Sequence, residues 1–234
     1  MDAANLARLN DARRGRRAAI LLTDLDSGRD IVIFEGEPLS PSLRPAVDAA
    51  FRSGRSTSID ADGKRCFLNV HLPPAQIVII GAVHISQVLA QMASLVGFDV
   101  RIIDPRTAFA TSERFLGIDL MADWPVDVLK DRPLDAYTAL VAVTHDPKID
   151  DFPITEALRI GCFYVGALGS RKTHAARLER LRTGGMDEAA LARISAPIGL
   201  DIGAASPAEI AVAILAEIVQ TLRTRAISPA GDNK

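Results

Sequence analysis

The 234-residue chain is 48% hydrophobic and 24% charged, the balance of an ordinary soluble globular protein, and it is long enough for one large domain or a domain with a smaller appendage. A formal net charge of −2 gives no general attraction to nucleic acid or to an anionic membrane. Cys66 and Cys162 stand in no metal or redox spacing, which fits a reducing cytosol and provides too few thiols for a structural zinc site.

Residues 1–16 are expected to form a short polar helix whose only large apolar residues are Leu6 and Leu9. The arginines that follow precede an apolar run of only Ala18 to Leu22. That is shorter than the roughly 7–15 residues of an export-signal core, and nothing approaches the roughly 20 apolar residues of a membrane helix. The expected location is therefore the cytoplasm. A strand over 18–23, a turn at Asp26-Ser27-Gly28 and a strand over 31–34 make a hairpin. Helical spacing follows over 41–52, and a second hairpin over 57–72 turns at Ala61-Asp62-Gly63. Residues 1–72 thus read as a small α/β unit, ended by Pro73-Pro74, which force an extended connector.

The stretch from Gln76 to Asp104 organises the rest. It offers a buried strand at 77–80, a tight turn at Gly81, an amphipathic helix and a second buried strand at 100–103. The helix presents Ile85, Val88, Leu89, Met92, Leu95 and Val96 on one face, with Gly97 placed for a left-handed C-terminal cap. Such a βαβ unit implies a parallel sheet covered on both faces. Asp104 lies 23 residues after Gly81, close to the spacing at which a carboxylate meets a ribose in dinucleotide-binding folds. Yet Val83 and Ser86 stand where the second and third glycines of that fingerprint belong, and a β-branched side chain hinders backbone from approaching a pyrophosphate. The reading is a Rossmann-like doubly wound parallel sheet over 73–226 whose NAD site is lost or altered.

Beyond it come a polar loop or short helix over 104–115, a weak strand near Leu120 and a strand over 139–144. A helix over 154–160 leads to a strand over 162–168, then to a helix ending near Arg182. Asp187 caps a shorter helix, and Pro197 to Ala204 form a glycine-containing loop around Asp201. Ser206-Pro207-Ala208-Glu209 is a capping box with proline at the first helical position. The helix after it buries Ile210, Ile214, Ile218 and Leu222, and residues 227–234 are expected to form a disordered tail.

In an open parallel sheet, ligands lie beyond the carboxyl ends of the strands. Every such end here carries polar or glycine-rich groups: Gly81 with His84, Asp104-Pro105-Arg106, Thr144-His145-Asp146, and Gly166 through Lys172. His84 can pack or cap at its helix start, or donate to a phosphate held there. Asp104 can bind a ribose hydroxyl or cap the next turn. His145 and Asp146 can act as an acid–base or ligand-orienting pair, or as an Asx-turn beside an exposed histidine. Gly169, Ser170 and Arg171 open a helix in a way that favours an anion, although arginine in place of the second glycine departs from the phosphate loop of ATPases. The four histidines share no ligand spacing, so no metal site is expected.

The segments IVIIGAVHISQVLAQMASLVGFDVRIIDPRTAFATSERF, VTHDPKID, FYVGALGSRKTHAARLERL and PIGLDIGAASPAEIAVAILAEI together resemble the xanthine dehydrogenase accessory factor family (XdhC/CoxI), in that family's order. The resemblance implies a protein that binds the molybdenum cofactor (molybdopterin), protects it during sulfuration and passes it to a molybdenum hydroxylase subunit of the xanthine or carbon monoxide dehydrogenase type. A cysteine desulfurase would supply the sulfur. The family's Gly-Ala-Gly-His turn appears as Gly81-Ala82-Val83-His84, and the glycine- and cysteine-rich region that longer members carry before the Rossmann part is missing. The resemblance is therefore to a short or split form, acting with a separate protein that supplies that region. On this reading the cofactor site gathers Gly81, His84, Asp104, Arg106, His145, Asp146, Gly169, Ser170, Arg171 and Asp201, with little or no covalent chemistry of its own. Amphipathic surfaces on the amino-terminal unit are compatible with a homodimer. The alternatives are an NAD(P)-dependent oxidoreductase that places Asp104 on the ribose, and a scaffold in which the crevice is vestigial and only protein contacts matter.

Overall fold

The computed structural model describes residues 2–227; the tail expected beyond them lies outside the described residues. They form two compact units, one of residues 2–73 with 223–227, the other Pro74–Leu222.

In the first unit, α1 (Ala3–Arg14) is followed by β1 (Ala19–Asp24), β2 (Asp30–Phe34), α2 (Arg44–Ser53), β3 (Thr57–Ala61) and β4 (Lys64–His71). The strands form one antiparallel sheet in the order β2-β1-β4-β3. Both expected hairpins are present. The second turns through Asp62 at φ +51 and Gly63 at φ +73, the pair of left-handed residues whose twist suits a two-residue hairpin loop. α2 turns Val47, Ala50 and Phe51 inward, and Arg225 pairs with Glu35 at 2.7 Å.

In the second unit, β5 (Gln76–Ile80), α3 (His84–Leu95), β6 (Asp99–Ile103) and β7 (Asp119–Met121) make the first half. α4 (Pro125–Asp131), β8 (Thr138–Ala142), α5 (Pro147–Ile160), β9 (Tyr164–Ala167), α6 (Arg171–Thr183), α7 (Glu188–Leu191), β10 (Ile194–Ser195) and α8 (Pro207–Thr224) follow. The six strands run parallel in the order β10-β9-β8-β5-β6-β7. Relabelled from the unit's first strand this is the 3-2-1-4-5-6 order of the doubly wound fold. Alternate residues of each strand feed two cores. Ile77, Ile79, Val141 and Tyr164 pack with α3 and α8; Val78, Ile80, Leu140 and Val165 pack with α4, α5, α6 and α7. The capping box is made as expected: Ser206 Oγ accepts from the Glu209 N–H at 3.2 Å and Glu209 Oε2 accepts from the Ser206 N–H at 2.9 Å.

Two local expectations are corrected. On α3 it is Ser86, Leu89, Ala90 and Ala93 that are buried, whereas Leu95 and Val96 are exposed; the face toward the sheet is the small-residue stripe, which lets the helix sit close. α5 begins at Pro147 rather than near Ile154, because Asp146 caps it and Pro147 occupies the first turn, a start signal of the same kind as Ser206-Pro207.

Candidate functional site

Strand order reverses between β5 and β8, and in folds of this class ligands bind beyond the carboxyl ends of the strands at such a point. β5 leaves the sheet through Gly81 at φ +117. A Cβ there would lie 2.9 Å from Thr144 Cγ2 and 3.3 Å from Val143 Cγ2. Glycine is thus required twice over, by the backbone conformation and by the close exit of β8. Ser86 fills the third glycine position without loss, since its buried hydroxyl donates to the Gly81 carbonyl at 2.6 Å. Val83 is the extended residue before α3 and packs partly against the core, and no side chain caps the first turn of that helix. The N–H groups of a helix start carry a partial positive charge, and His84, exposed, stands on that start.

Asp104 is fully buried at the tip of β6. Its Oδ2 accepts from the Ala82 N–H at 2.7 Å and from Arg106 Nη2 at 2.8 Å, and its Oδ1 accepts from the Arg106 N–H and Nε, both at 2.9 Å. Burial pushes the Asp104 carboxyl up, but the bonds from Arg106 and Ala82 outweigh it and leave its pKa below the ordinary value. Arg106 also lies over the Phe109 ring at 4.7 Å. On the other side of the same residue, Arg114 Nη1 donates to the Ala82 carbonyl at 3.0 Å. The turn after β5 is therefore gripped at both its N–H and its C=O.

At the tip of β8, His145 adopts φ +64 and is exposed, while Asp146 caps α5 by accepting from the Lys148 N–H at 2.9 Å. Thr144 links the turn to the helix: its Oγ1 accepts from the Asp146 N–H at 3.0 Å and donates to Asp150 Oδ1 at 2.7 Å. Asp150 is 1% exposed, and burial pushes its carboxyl up to about 6. At the tip of β9, Gly169 (φ +143) leads to Ser170, whose Oγ accepts from the Thr173 N–H at 3.2 Å; Ser170 and Arg171 are exposed. Arg177, 2% exposed on the next turn of α6, donates through Nη2 to the Leu168 carbonyl at 3.1 Å.

The structure thus brings Asp104 and Arg106 into direct contact with each other, and Asp104 with Ala82 of the turn after Gly81, which packs close to Thr144; Arg106 senses the charges of Asp146 and Asp150 across the switch point. His84, His145, Gly169, Ser170 and Arg171 occupy the neighbouring helix starts and turn. Asp201 is exposed on its loop, and no hydrogen bond or ion pair among the described residues joins it to the others. That loop is fixed instead by Glu217, which accepts from the Tyr164 hydroxyl, the Ser195 hydroxyl and the Gly199 N–H. Sequence reasoning missed Arg114, Asp150 and Arg177. Asp150 was legible as the residue one turn after the Asp146-Pro147 helix start, and Arg177 as a cation four residues before the buried Leu181.

The family described as the XdhC Rossmann domain matches residues 77–218. The chain belongs to that family. A probable xanthine dehydrogenase component of Bacillus subtilis (strain 168) is 33% identical over 156 residues, which cover 66% of this chain and 45% of the relative. Over 147 residues the chain is 29% identical to the molybdenum cofactor insertion chaperone PaoD of Escherichia coli (strain K12), covering 62% of this chain and 40% of the relative. The chain thus spans less than half the length of these curated relatives. A crystal structure of a xanthine dehydrogenase from Bacillus halodurans superposes with a TM-score of 0.64 at 22% identity, covering 98% of this chain and 67% of that one; that likeness speaks to the fold. Among the described residues no helix is long and apolar enough to cross a membrane.

Proposed function

We propose that this XdhC-family chain binds the molybdenum cofactor, protects it during sulfuration and aids its insertion into a molybdenum hydroxylase of the xanthine or carbon monoxide dehydrogenase type. The observation that carries this reading is the state of the switch point. The carboxylate that a dinucleotide fold offers to a ribose is spent on Ala82 and Arg106, while the start of α3 beside it has no side-chain cap. A phosphate finds donors there, and a nicotinamide dinucleotide loses its ribose partner.

The residues present fit such a cofactor. The α3 start with His84, and the Ser170-Arg171 start of α6, suit the phosphate or pyrophosphate, and polar strand tips suit the hydrogen-bonding edges of a pterin. When bound, the cofactor would supply the molybdenum centre that the recipient enzyme uses, and this chain's residues would hold and orient it. The name of PaoD, a cofactor insertion chaperone, and that of the B. subtilis relative, part of a probable dehydrogenase, support the same role. Both cysteines are buried, and burial pushes Cys162 up to about 12 and raises Cys66. Neither suits a sulfur carrier, which needs an accessible thiolate; this agrees with the proposal that a cysteine desulfurase supplies the sulfur. A separate protein supplying the glycine- and cysteine-rich region, a homodimer and a cytoplasmic location belong to the same proposal.

Purified chain carrying Arg171→Ala, an exposed position, should retain less molybdenum cofactor than the unaltered chain. Titration with NAD(H) or NADP(H), followed by Trp124 fluorescence, should show no saturable binding. Micromolar nicotinamide affinity together with unchanged cofactor retention would refute the proposal and favour an oxidoreductase.

A further inference from the structure

Two ionisable side chains under the switch point stand out because the chain leaves them incompletely used. Asp150 Oδ2, Arg177 Nε and Arg177 Nη1 are buried and make no hydrogen bond within the protein. Of the residues around them, His174 Nδ1, which feels the charge of Arg177, is buried without a partner as well, whereas the neighbouring charged groups are paired. Asp151 and Arg180 form a two-bond ion pair at 2.6 and 3.0 Å, and Arg106 is bound to Asp104. Asp150 and Arg177 feel each other's charge, yet they form no ion pair. A purely structural acid–base couple in so buried a place is expected to close into direct contact, because an unpaired buried charge is costly. Here one bond from each holds a strand tip, Thr144 on β8 and the Leu168 carbonyl on β9, and the remaining oxygen and nitrogens are held in reserve.

We propose that Asp150 and Arg177 form a recognition subsite for a 2-amino-4-oxopyrimidine ring, the edge shared by pterins and guanine. Such an edge offers two adjacent donors, the 2-amino group and N3–H, and then an acceptor, the 4-oxo oxygen. The free Asp150 Oδ2 takes one donor, the second lone pair of Oδ1, which already accepts from Thr144, takes the other, and the guanidinium gives to the oxygen, so the pair can complement that edge. The position agrees. Asp150 senses Arg106 at the β6 tip on one side and Arg177 and Arg180 of α6 on the other. It therefore lies beneath the place where strand order reverses. The ring reaches the pair when the Thr144–Asp146 turn moves aside. That turn holds His145 at φ +64, a left-handed conformation that is uncommon for a non-glycine residue, though less so for histidine than for most.

This subsite rests on the proposed cofactor role, with the phosphate at the helix starts and the pterin edge on Asp150 and Arg177. It is tested on the full chain by fluorescence quenching of 6-hydroxymethylpterin and by calorimetry with guanosine monophosphate, adenosine monophosphate serving as the control. Saturable binding of the pterin or of the guanine nucleotide is expected, and whichever binds identifies the source of the ring. Asp150→Asn keeps an oxygen for Thr144, and Arg177→Lys keeps the charge; each should weaken binding about tenfold, the worth of one charge-assisted bond. Thermal melts by circular dichroism verify that both variants fold. Because the ionised carboxyl is the acceptor, affinity should also fall as pH drops through the Asp150 pKa, with Arg106, Arg177, Arg180 and Asp151 as the charges facing it and His174, beside Arg177, as the other titratable group, which His174→Gln removes from the comparison. Unchanged affinity in both folded variants, equal binding of adenosine monophosphate, or no saturation by either ring overturns the subsite. Molybdenum cofactor retention by the unaltered chain is measured separately. Retention that neither variant alters removes the subsite and leaves the maturation role standing; ring binding without retention does the reverse.

Discussion

Replacing Asp150 with asparagine is expected to stabilise the protein at neutral pH while impairing the site. The Asp150 carboxyl is pushed from its ordinary 3.8 up to about 6, with burial as the largest cause. A folded-state pKa raised in this way means that the folded chain holds the proton more tightly than the unfolded one. Stability therefore falls as pH rises from the unfolded value to the folded value, and it stays at the lower level above that window. At 1.36 kcal/mol per pH unit the ionised carboxyl costs about 3 kcal/mol of stability at neutral pH. Asparagine removes that cost and keeps an acceptor for Thr144, but it adds buried amide N–H groups worth about 1–2 kcal/mol when unmatched. The net gain at about pH 8 is then about 1–2 kcal/mol. The amide cost does not depend on pH, so it cancels when the variant and the parent are compared at two pH values. Urea unfolding should show the advantage of Asp150→Asn at about pH 8 exceeding that at about pH 4.5 by about 2 kcal/mol. A pH-independent difference, or a variant that loses ground at the higher pH, would show that Asp150 is not a strained carboxylate and would refute the reasoning.

Gly81→Ala combines an unfavourable positive φ, about 1–2 kcal/mol, with overpacking against Thr144 of about 1–3 kcal/mol, and should lower unfolding free energy by about 2–5 kcal/mol in urea titrations. Glu217→Ala leaves the buried Tyr164 hydroxyl without its acceptor and frees the Gly199 N–H; a loss of about 2–4 kcal/mol and faster amide hydrogen exchange over residues 197–203 are expected. Asp146→Ala removes the α5 cap and should cost about 1 kcal/mol by the same titration.

Much of the fold was legible because its signals are local and periodic. The two hairpins, the βαβ unit and the start of α8 each follow from apolar patterning bounded by glycine, proline or a cap. The doubly wound order could be inferred from strand–helix alternation. Burial on α3 was read less well, since large apolar residues were followed rather than small ones. Leu95 and Val96 face solvent at the end of the helix, while Ser86, Ala90 and Ala93 meet the sheet, and no hydrophobicity count distinguishes a stripe chosen for closeness from one chosen for area. The site was legible as a set of strand tips, but not in its bonding. Nothing in the spacing of Asp104 from Gly81 discloses that Arg106, two residues on, reaches back and occupies the same carboxylate. Nor does it bring Arg114 onto the Ala82 carbonyl from 32 residues away.

That bonding changes what the altered glycine pattern means. In a dinucleotide fold the second glycine keeps the turn slim so that backbone N–H groups can meet a pyrophosphate, and the carboxylate at the next strand tip is kept free for a ribose. Here the turn is tied from both sides, with the Ala82 N–H given to Asp104 and the Ala82 carbonyl taken by Arg114. A bulkier Val83 is tolerated in such a turn because its outer edge no longer has to receive a ligand along its whole length. On the proposed reading, recognition shifts from the turn itself to what surrounds it: the uncapped start of α3, the cation-bearing start of α6, and the partly used Asp150 and Arg177 below. A ligand suited to that distribution carries its negative charge at one end and a hydrogen-bonding ring at the other, and does not need a free carboxylate between them.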